Sequence, residues 1–483
     1  MRFSTMLLVA GSTCLAAACG DGGGTNEPAV GADDRRLGAE QHPQLLAEFG
    51  GAYEGRQAEY VELVGESLAE AAGLEGRCTF TLVNTDVVNA FAVPGCYIYV
   101  TRGLLGIVNS EAELASVLAH ELGHIVADHS GRQQNRSLLR QLGVLAVGLI
   151  TDSETLTRIA GQAAQFFTLR YSRKQEYESD DLGIAYMKAA GYDPYEAADM
   201  LGALGRNEQF LARTRGRDDA QGMPEWAMTH PLTRNRIERA RATAAATGVA
   251  DNALPEGQLD YLRAVDGLLY GDDPSQGFVD GRRFVHPVMR IGFEAPPGFT
   301  LTNSPQAILI DGPGGLRGEF GGGRLPPGGL EAYVAALARE IVGDAPAEAG
   351  AIAHATVNGI PAATLPLLIR TPENSVRLAI AAYAGAGGEA YHFIIAAPGT
   401  AGAQPALDAL FGSFRFLSAE EAGSLRPRRI EVVAAGPGDT ARALAGRMAS
   451  NHPLDHFLML NGRAPDDPLS PGERVKIVVP AGR

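Results

Sequence analysis

Two histidines and a glutamate stand at a spacing that suits metal-dependent hydrolysis. They are His120, Glu121 and His124. On an α-helix, residues four apart lie about 40° apart around the axis, so both imidazoles can reach one Zn²⁺. Glu121 lies about 100° round from His120, beside the position that a metal-bound water would occupy. The spacing predicts one zinc ion per subunit, with Glu121 as the general base that activates the water.

A third protein ligand is expected, because catalytic zinc sites usually have three and this stretch supplies two. The acidic segment 171–181 contains the candidates. Glu176 and Asp180 share one helix face, so one of them can bind the metal while the other orients a ligand histidine. Glu178 is about 200° away from Glu176, and we interpret it, like Asp181, as part of a solvated face.

Two capping signals predict the helices that must position these residues. Ser110 and Glu113 form a capping-box pattern ahead of the first histidine, and apolar residues then recur at helical spacing. Ser172 and Gln175 repeat the pattern ahead of the acidic segment. The second helix is predicted to run to about Ala190, where a glycine follows.

Three segments in this order resemble the M48 family of zinc metallopeptidases, which includes Ste24-like proteases and soluble periplasmic enzymes. The segments are 88–95, the His-Glu-x-x-His stretch, and Glu176 with Asp180 four residues later. The resemblance covers about residues 41–275. It implies a mainly helical zincin-type peptidase domain with a small β-sheet, in which Glu176 is the third zinc ligand. Asp180 then lies behind the ligands, in the second shell of the metal.

A fourth segment, Thr229-His230-Pro231 followed by Arg236, resembles the T-H-P-x-x-x-x-R segment of the same family. His230 is either a substrate or oxyanion donor, a removable fourth zinc ligand, or a loop residue that caps the next helix. Arg236 either binds substrate or links the loop to a carboxylate. For His129 we predict no role at the metal, because nine residues after His120 place it about 180° round the helix.

The segment 89–101 resembles the edge strand beside the active site in that family. An unpaired strand edge can bind an extended peptide through main-chain hydrogen bonds, which implies polypeptide substrates, chiefly unfolded ones. Cys78 and Cys96 lie in two apolar, β-prone runs. In an oxidising compartment they form a disulfide if the two strands are neighbours; the alternative is two buried thiols.

The N-terminal segment has the pattern of an export signal. A basic start, an apolar run and small residues precede Cys19, as in a bacterial lipobox, so 1–18 is a predicted signal peptide and Cys19 the lipidated residue. The alternative is an ordinary cleaved signal. Gly20 in place of Asp resembles outer-membrane sorting, and 19–40 is a predicted flexible tether. The net charge of −15 argues against nucleic-acid partners.

The fold class is predicted as α+β, with two further units after the peptidase domain. Residues 280–418 alternate strands and helices; this accessory domain loosely resembles PsbP-like domains and contains no catalytic constellation. Residues 428–481 resemble a LysM module, a small βααβ fold that often binds peptidoglycan. Phe457 is the only aromatic residue of that unit, so glycan binding and a purely structural role both stay open.

Three functions are compatible with these patterns. The first is a zinc endopeptidase on the periplasmic side of the cell envelope that cleaves misfolded or surplus envelope proteins. The second is a cell-wall-associated binding or chaperone-like lipoprotein with a non-catalytic zinc site. The third is a peptidoglycan-modifying metalloenzyme targeted by the LysM-like unit. Structural zinc sites are usually closed by four ligands, often cysteines, and no cysteine lies near the histidine stretch, which favours the first function.

Overall fold

The computed structural model describes residues 30–132, 171–214, 230, 234–343, 346–370, 375–398 and 403–482. The predicted signal peptide, Cys19 and residues 19–29 of the predicted tether lie outside this range. Residues 32–40 belong to a helix, so the prediction of a flexible tether is wrong for them. The helix packs so tightly on the protein that a Cβ at Gly38 would lie 2.4 Å from the Pro94 carbonyl oxygen. Tertiary packing therefore forms a helix that shows no apolar periodicity of its own.

Nine described helices and one three-stranded sheet make up the segment that precedes residue 266. The helices are α1 (Ala32–Glu48), α2 (Arg56–Ala71), α3 (Arg102–Ile107), α4 (Glu111–Val126), α5 (His129–Arg132), α6 (Arg173–Ala190), α7 (Glu196–Thr214), α8 (Arg234–Ala246) and α9 (Gln258–Val265). The strands are β1 (Thr79–Val83), β2 (Ala90–Val93) and β3 (Tyr97–Thr101).

The sheet has the order β1-β3-β2, with β3 parallel to β1 and antiparallel to β2. Of the segment 89–101, only β2 is therefore an edge among the described strands, while β3 is central. The Cys78 and Cys96 sulfurs are bonded at 2.00 Å, so the disulfide joins the residues that precede β1 and β3.

Helix α4 runs through the centre of the core. The Ser110 hydroxyl accepts a hydrogen bond from the Glu113 N–H at 2.9 Å, and the Glu113 carboxylate accepts one from the Asn109 N–H at 2.6 Å. The N-terminal cap is thus closed on both sides. Every residue from 112 to 124 is buried. Burial on all sides agrees with the apolar residues that surround the two histidines in the sequence.

Helix α6 lies directly against α4, with the two backbones in contact. A Cβ at Gly123 of α4 would lie 2.9 Å from the Ser179 carbonyl oxygen. A Cβ at Gly183 of α6 would lie 3.1 Å from the main-chain nitrogen of His120. Helix α6 begins with the predicted Ser172 capping box and ends at Ala190. The two predicted helices therefore meet at closely spaced backbones, and the side chains around the contact are brought together.

A second set of elements follows from β4 (Leu269–Tyr270) onward. The strands are β5 (Phe278–Asp280), β6 (Arg283–His286), β7 (Ile291–Glu294), β8 (Thr300–Asn303), β9 (Ile308–Asp311), β10 (Arg317–Arg324), β11 (Ala347–Ala349), β12 (Ala353–Val357), β13 (Ile360–Arg370), β14 (Ser375–Ala384), β15 (Glu389–Pro398) and β16 (Arg415–Phe416). The helices are α10 (Gly329–Val342), α11 (Gln404–Gly412) and α12 (Ala419–Ser424).

These strands form two sheets. The larger has the order β11-β13-β14-β15-β10-β9-β8, with β12 also paired to β13, and the smaller has the order β16-β7-β6-β5. Val334 and Ile341 of α10 and Leu410 of α11 belong to two separate apolar cores on the larger sheet. Among the described helices of the whole chain, none combines the length and apolar character needed to cross a bilayer.

The C-terminal unit consists of β17 (Arg428–Ala434), α13 (Ala441–Ala445), α14 (Pro453–Leu460) and β18 (Arg474–Pro480), with β17 and β18 antiparallel. It is joined to the segment that holds α4 in two ways. Strand β4 pairs with β17 and extends the sheet. Lys476 of β18 is completely buried, and its ammonium group donates hydrogen bonds to the carbonyls of Gly106, at 2.9 Å, and Val108. These two carbonyls lie just ahead of α4.

We expect the substitution Lys476→Met to lower the free energy of unfolding by about 2–4 kcal/mol, because two buried carbonyls lose a charged donor. The buried Glu113 also loses a nearby cation. Chemical denaturation of the purified chain measures the effect. The matched control is Arg474→Met, which changes an exposed cation on the same strand. If both variants unfold at the same denaturant concentration, Lys476 does not join the two parts of the chain.

Candidate metal and catalytic site

Four buried side chains converge at the contact between α4 and α6. Their possible ligand atoms all lie within 4.8 Å of one another, and the residues are His120, His124, Glu176 and His230. The first three are the ligands predicted from the sequence. The fourth is the residue for which three roles remained open.

The two histidines of α4 direct the same ring atom into the cluster. The Nε2 atoms of His120 and His124 lie 3.0 Å apart. The Glu176 carboxylate lies 3.7 Å from His120 Nε2 and 3.6 Å from His124 Nε2. Burial and the neighbouring imidazoles, His120 foremost, hold the pKa of His124 well below its usual range, so this ring is neutral. Two imidazoles and one carboxylate are a donor set that suits Zn²⁺.

The His230 ring lies inside the cluster. Its Nδ1 is 3.0 Å from Glu176 Oε1 and 3.3 Å from His120 Nε2. Burial alone would lower the pKa of His230, but the carboxylates of Glu176 and Glu121 outweigh it and raise the pKa. The position suits a fourth metal ligand. Residues 229 and 231, on either side of His230, lie outside the described range.

Glu121 is completely buried beside the cluster, with Oε1 at 3.6 Å from His230 Nε2. Neither of its carboxylate oxygens has a hydrogen-bond partner among the described residues. Burial raises its pKa, and His230 and His120 oppose that rise. A buried carboxylate without hydrogen bonds is costly, so the donor set is one that a cation and a water molecule would complete.

Asp180 and Arg236 hold the cluster from behind. Asp180 Oδ1 lies 2.9 Å from His120 Nδ1, the ring atom opposite the cluster. The Arg236 guanidinium lies 2.7 and 2.8 Å from the two oxygens of Asp180 and 2.6 Å from Glu176 Oε2. Arg236 is itself buried. Of its two predicted roles, the geometry favours the link to carboxylates over direct contact with substrate.

The same contacts keep both carboxylates ionised. Burial alone would raise the pKa of Glu176, but His230 and Arg236 outweigh it and lower the pKa to about 2. Burial opposes the ionisation of Asp180 as well, and Arg236 lowers the pKa of that residue well below its usual range. A ligand carboxylate that stays charged near neutral pH favours a bound cation.

The helical angle predicts that His129 lies away from the other histidines, but the structure places it against His124. Its buried ring places Nδ1 at 2.8 Å from His124 Nδ1 and Nε2 at 3.3 Å from Glu178 Oε2. Helix α4 ends at Val126, and Asp128 has a φ of 47°, so the chain turns back and the helical angle no longer applies. The interpretation of Glu178 as a purely solvated residue is wrong for the same reason.

Sequence reasoning also misses Tyr171, which precedes α6. Its ring is buried and stacks on His124 with a centroid distance of 3.7 Å. Burial raises the pKa of this phenol above its usual range, and Glu121 adds to the rise. No spacing rule relates Tyr171 to His124, since the two residues meet only through the packing of α4 and α6.

The sequence model of Peptidase family M48 matches residues 55–244, a range that contains the whole cluster. Among curated relatives, the beta-barrel assembly-enhancing protease of Yersinia pestis is 31% identical over 233 residues, which is 46% of either chain. The same-named protein of Escherichia coli strain K12 is 29% identical over 199 residues, 38% of either chain. The mitochondrial metalloendopeptidase OMA1 of Arabidopsis thaliana is 35% identical over 139 residues, 29% of this chain and 28% of the relative.

The present chain thus spans less than half the length of these three relatives. Together the matches support a metalloprotease of the M48 type for the segment that contains the cluster. Among solved structures, the solution structure of cyanobacterial PsbP from Synechocystis is similar to part of this chain. It has a TM-score of 0.25 and 14% identity, and the similarity covers 30% of this chain and 98% of that protein.

We expect Glu176→Ala to lose most of its bound zinc, because the site keeps only histidines and no ionised ligand on α6. Asp180→Ala should bind zinc about 10–100-fold more weakly, since it only orients His120. Metal analysis after dialysis measures both. The matched control is Asp181→Ala, whose partly exposed carboxylate pairs with Arg239 and not with a residue of the cluster. Zinc that stays at the wild-type level in Glu176→Ala would exclude this residue as a ligand.

Proposed function

We propose that this protein is a zinc-dependent endopeptidase of the bacterial cell envelope that cleaves misfolded or surplus envelope proteins. The observation that carries the proposal is the Glu121 carboxylate. It is buried beside a set of metal-ligand atoms, and neither of its oxygens is hydrogen-bonded among the described residues. A structural metal site needs no such carboxylate, whereas peptide hydrolysis needs a base at that position.

The charges of the site support a divalent cation. Glu121, Glu176 and Asp180 are three carboxylates in one buried cluster, and Arg236 is the cation that pairs with two of them. If all are ionised, two negative charges remain, which a Zn²⁺ ion would balance. The imidazoles then serve as neutral ligands. In the absence of metal, a proton on His230 would compensate part of the charge, in agreement with its raised pKa.

When bound, Zn²⁺ would polarise the scissile carbonyl and make a water molecule acidic enough to react near neutral pH. Glu121 takes a proton from the attacking water and passes it to the nitrogen of the departing amine. Burial raises the pKa of Glu121, which favours its protonated form once it has taken the proton. Asp180 fixes the orientation of the His120 ring, and Arg236 holds Asp180 and Glu176 in place.

The position of β2 supports polypeptide substrates. Among the described strands β2 pairs with β3 alone, so its other edge can accept an extended chain by main-chain hydrogen bonds. It also packs against α4, the helix that bears His120, Glu121 and His124. Recognition through the main chain selects unfolded segments rather than particular side chains. Two of the matched relatives are named as proteases that enhance β-barrel assembly, which agrees with an envelope substrate.

The remaining parts of the proposal come from the sequence. Lipidation at Cys19 would attach the chain to the membrane, with the outer membrane as the expected site, and 280–418 would be an accessory domain. The unit 428–481 would be LysM-like, and peptidoglycan is its candidate ligand. The strand-helix-helix-strand order of 428–480 supports that resemblance.

A non-catalytic zinc site in a binding or chaperone-like lipoprotein is the second candidate. The observation that favours it is His230, which supplies a fourth protein ligand and would close the site. The buried Glu121 argues against it, because a closed structural site leaves this carboxylate without a function. The two candidates differ in whether a chain with bound zinc hydrolyses peptide bonds.

We expect Glu121→Gln to keep zinc but lose casein hydrolysis, because the amide has the shape of the carboxylate and cannot accept the proton of water. Zinc content and casein digestion are measured on the same preparations of wild type and variant. Full activity in a zinc-loaded Glu121→Gln variant would reject the mechanism. Zinc binding without hydrolysis in the wild type would instead favour the non-catalytic candidate.

His230→Ala separates the roles that remain open for His230. We expect it to raise peptidase activity with little loss of zinc, because a histidine in the fourth position displaces the water that the reaction needs. Steady-state kinetics normalised to zinc content measure the change. If His230 instead donates to the developing oxyanion, kcat should fall by about 10²–10³-fold. Unchanged kinetics with a lower melting temperature would reduce His230 to a structural residue.

A further inference from the structure

We propose that His129 and Glu178 form a relay behind His124 that fixes the tautomer and orientation in which His124 binds the metal. The proposal rests on the metal site proposed above and concerns two residues that neither the family match nor the sequence patterns assign to it. His129 stands in α5, just after the turn that ends α4, and Glu178 stands on α6. They act through His124 and touch no substrate, so they are positioning residues.

The distances define a continuous chain from the cluster outwards. His124 Nδ1 lies 2.8 Å from His129 Nδ1, and His129 Nε2 lies 3.3 Å from Glu178 Oε2. Both imidazoles are buried. Two ring nitrogens at 2.8 Å form a hydrogen bond only if one carries the proton and the other accepts it. The contact therefore couples the tautomers of the two rings.

The direction of the coupling follows from the cluster. His124 Nε2 faces His120 Nε2 at 3.0 Å and Glu176 Oε1 at 3.6 Å, so this nitrogen must be free of a proton to bind metal. A neutral His124 then carries its proton on Nδ1, and this N–H donates a hydrogen bond to His129 Nδ1. His129 in turn carries its own proton on Nε2, where the Glu178 carboxylate can only accept. One assignment satisfies every contact of the relay.

The other motif histidine shows the same arrangement in a shorter form. His120 Nδ1 lies 2.9 Å from Asp180 Oδ1, so a carboxylate accepts directly from that ring. Each of the two ligand histidines of α4 thus has a carboxylate of α6 behind it. For His124 the imidazole of His129 bridges the gap to Glu178. Such partners raise the basicity of a ligand imidazole and hold its ring in the binding orientation.

The surroundings hold His129 at this place. Gln175 Nε2 donates to the His129 carbonyl at 3.3 Å, and Ser179 Oγ lies 3.4 Å from His129 Nδ1. Both residues belong to α6, the helix that carries Glu178. The Glu178 side chain is 37% exposed, whereas the Asp180 side chain is only 10% exposed and is paired with Arg236. Glu178 should therefore contribute less to metal affinity than Asp180 does.

Zinc affinity, measured by competition with a chromogenic chelator, tests the relay. We expect His129→Ala to bind zinc about 10–100-fold more weakly than the wild type. Glu178→Gln keeps an acceptor oxygen without the charge, so its loss should be smaller. Asp181→Asn is the matched control: it neutralises a carboxylate of α6 that pairs with Arg239, and its zinc affinity should equal that of the wild type.

Two measurements separate positioning from a general loss of structure. His129→Asn places an amide oxygen where Nδ1 stood, so it should recover part of the affinity that His129→Ala loses. NMR of the ring nitrogens in the zinc-bound wild type should show the proton of His124 on Nδ1 and that of His129 on Nε2. Thermal unfolding of the metal-free variants measures their stability independently of zinc. We expect the ranking of the variants by zinc affinity to differ from their ranking by melting temperature.

The outcomes distinguish the relay from the proposed function. Wild-type affinity in both His129→Ala and Glu178→Gln would overturn the relay and leave the metal site standing. A His129 proton found on Nδ1 would overturn it as well, because that ring could then not accept from His124. If the wild type itself binds no zinc, the proposed function fails and the relay fails with it.

Discussion

Backbone contact between α4 and α6 is the constraint on which the site depends. Gly123 and Gly183 stand at this contact, and a methyl group at either position would meet the backbone of the opposite helix at about 3 Å. Because the helices approach so closely, the short side chain of Asp180 reaches the His120 ring and Glu176 reaches both histidines. Two residues without side chains thus determine the distances among residues that perform chemistry.

Burial is the second determinant, since it makes every charge of the cluster depend on a partner. Arg236 is a guanidinium without exposure to water, and its two contacts with carboxylates compensate for that loss. Arg236 does not contact Glu121 in this way. Both oxygens of Glu121 are buried and have no hydrogen-bond partner among the described residues. A buried carboxylate of this kind persists only because the surrounding packing holds it there.

Local sequence is enough to predict the helices and the ligands that face one another on them. Ser110 and Ser172 cap their helices through neighbours three residues away, so no distant contact is needed to recognise them. The pairing of Glu176 with Asp180 on one face depends only on the helical repeat. The presence of strands and helices in 280–418 is predictable in the same way, but the ends of single strands are not. Strand β7 begins only after Arg290, whose φ of 56° places a turn that apolar content alone does not reveal.

The parts that cannot be predicted all involve contacts between distant segments or breaks in a regular element. Helical angles place His129 on the wrong side, because they assume a helix that continues beyond Val126. One of the two carboxylates that pair with Arg236, Asp180, lies 56 residues earlier in the chain. The α1 helix depends on Gly38 packing against the β2–β3 turn, and nothing within α1 indicates it. Sequence patterns therefore predict a single helix or strand well, but they do not predict which distant segments it will contact.

The burial of Lys476 has a consequence for the order in which the chain can be assembled. This residue lies 370 positions beyond Gly106, whose carbonyl accepts a hydrogen bond from its ammonium group. During synthesis, the segment ahead of α4 emerges long before Lys476 does, so this contact can form only late. The helix that bears His120, Glu121 and His124 therefore reaches its final surroundings only after nearly the whole chain has emerged. The metal site proposed for this helix would then form late, once the C-terminal unit has been synthesised.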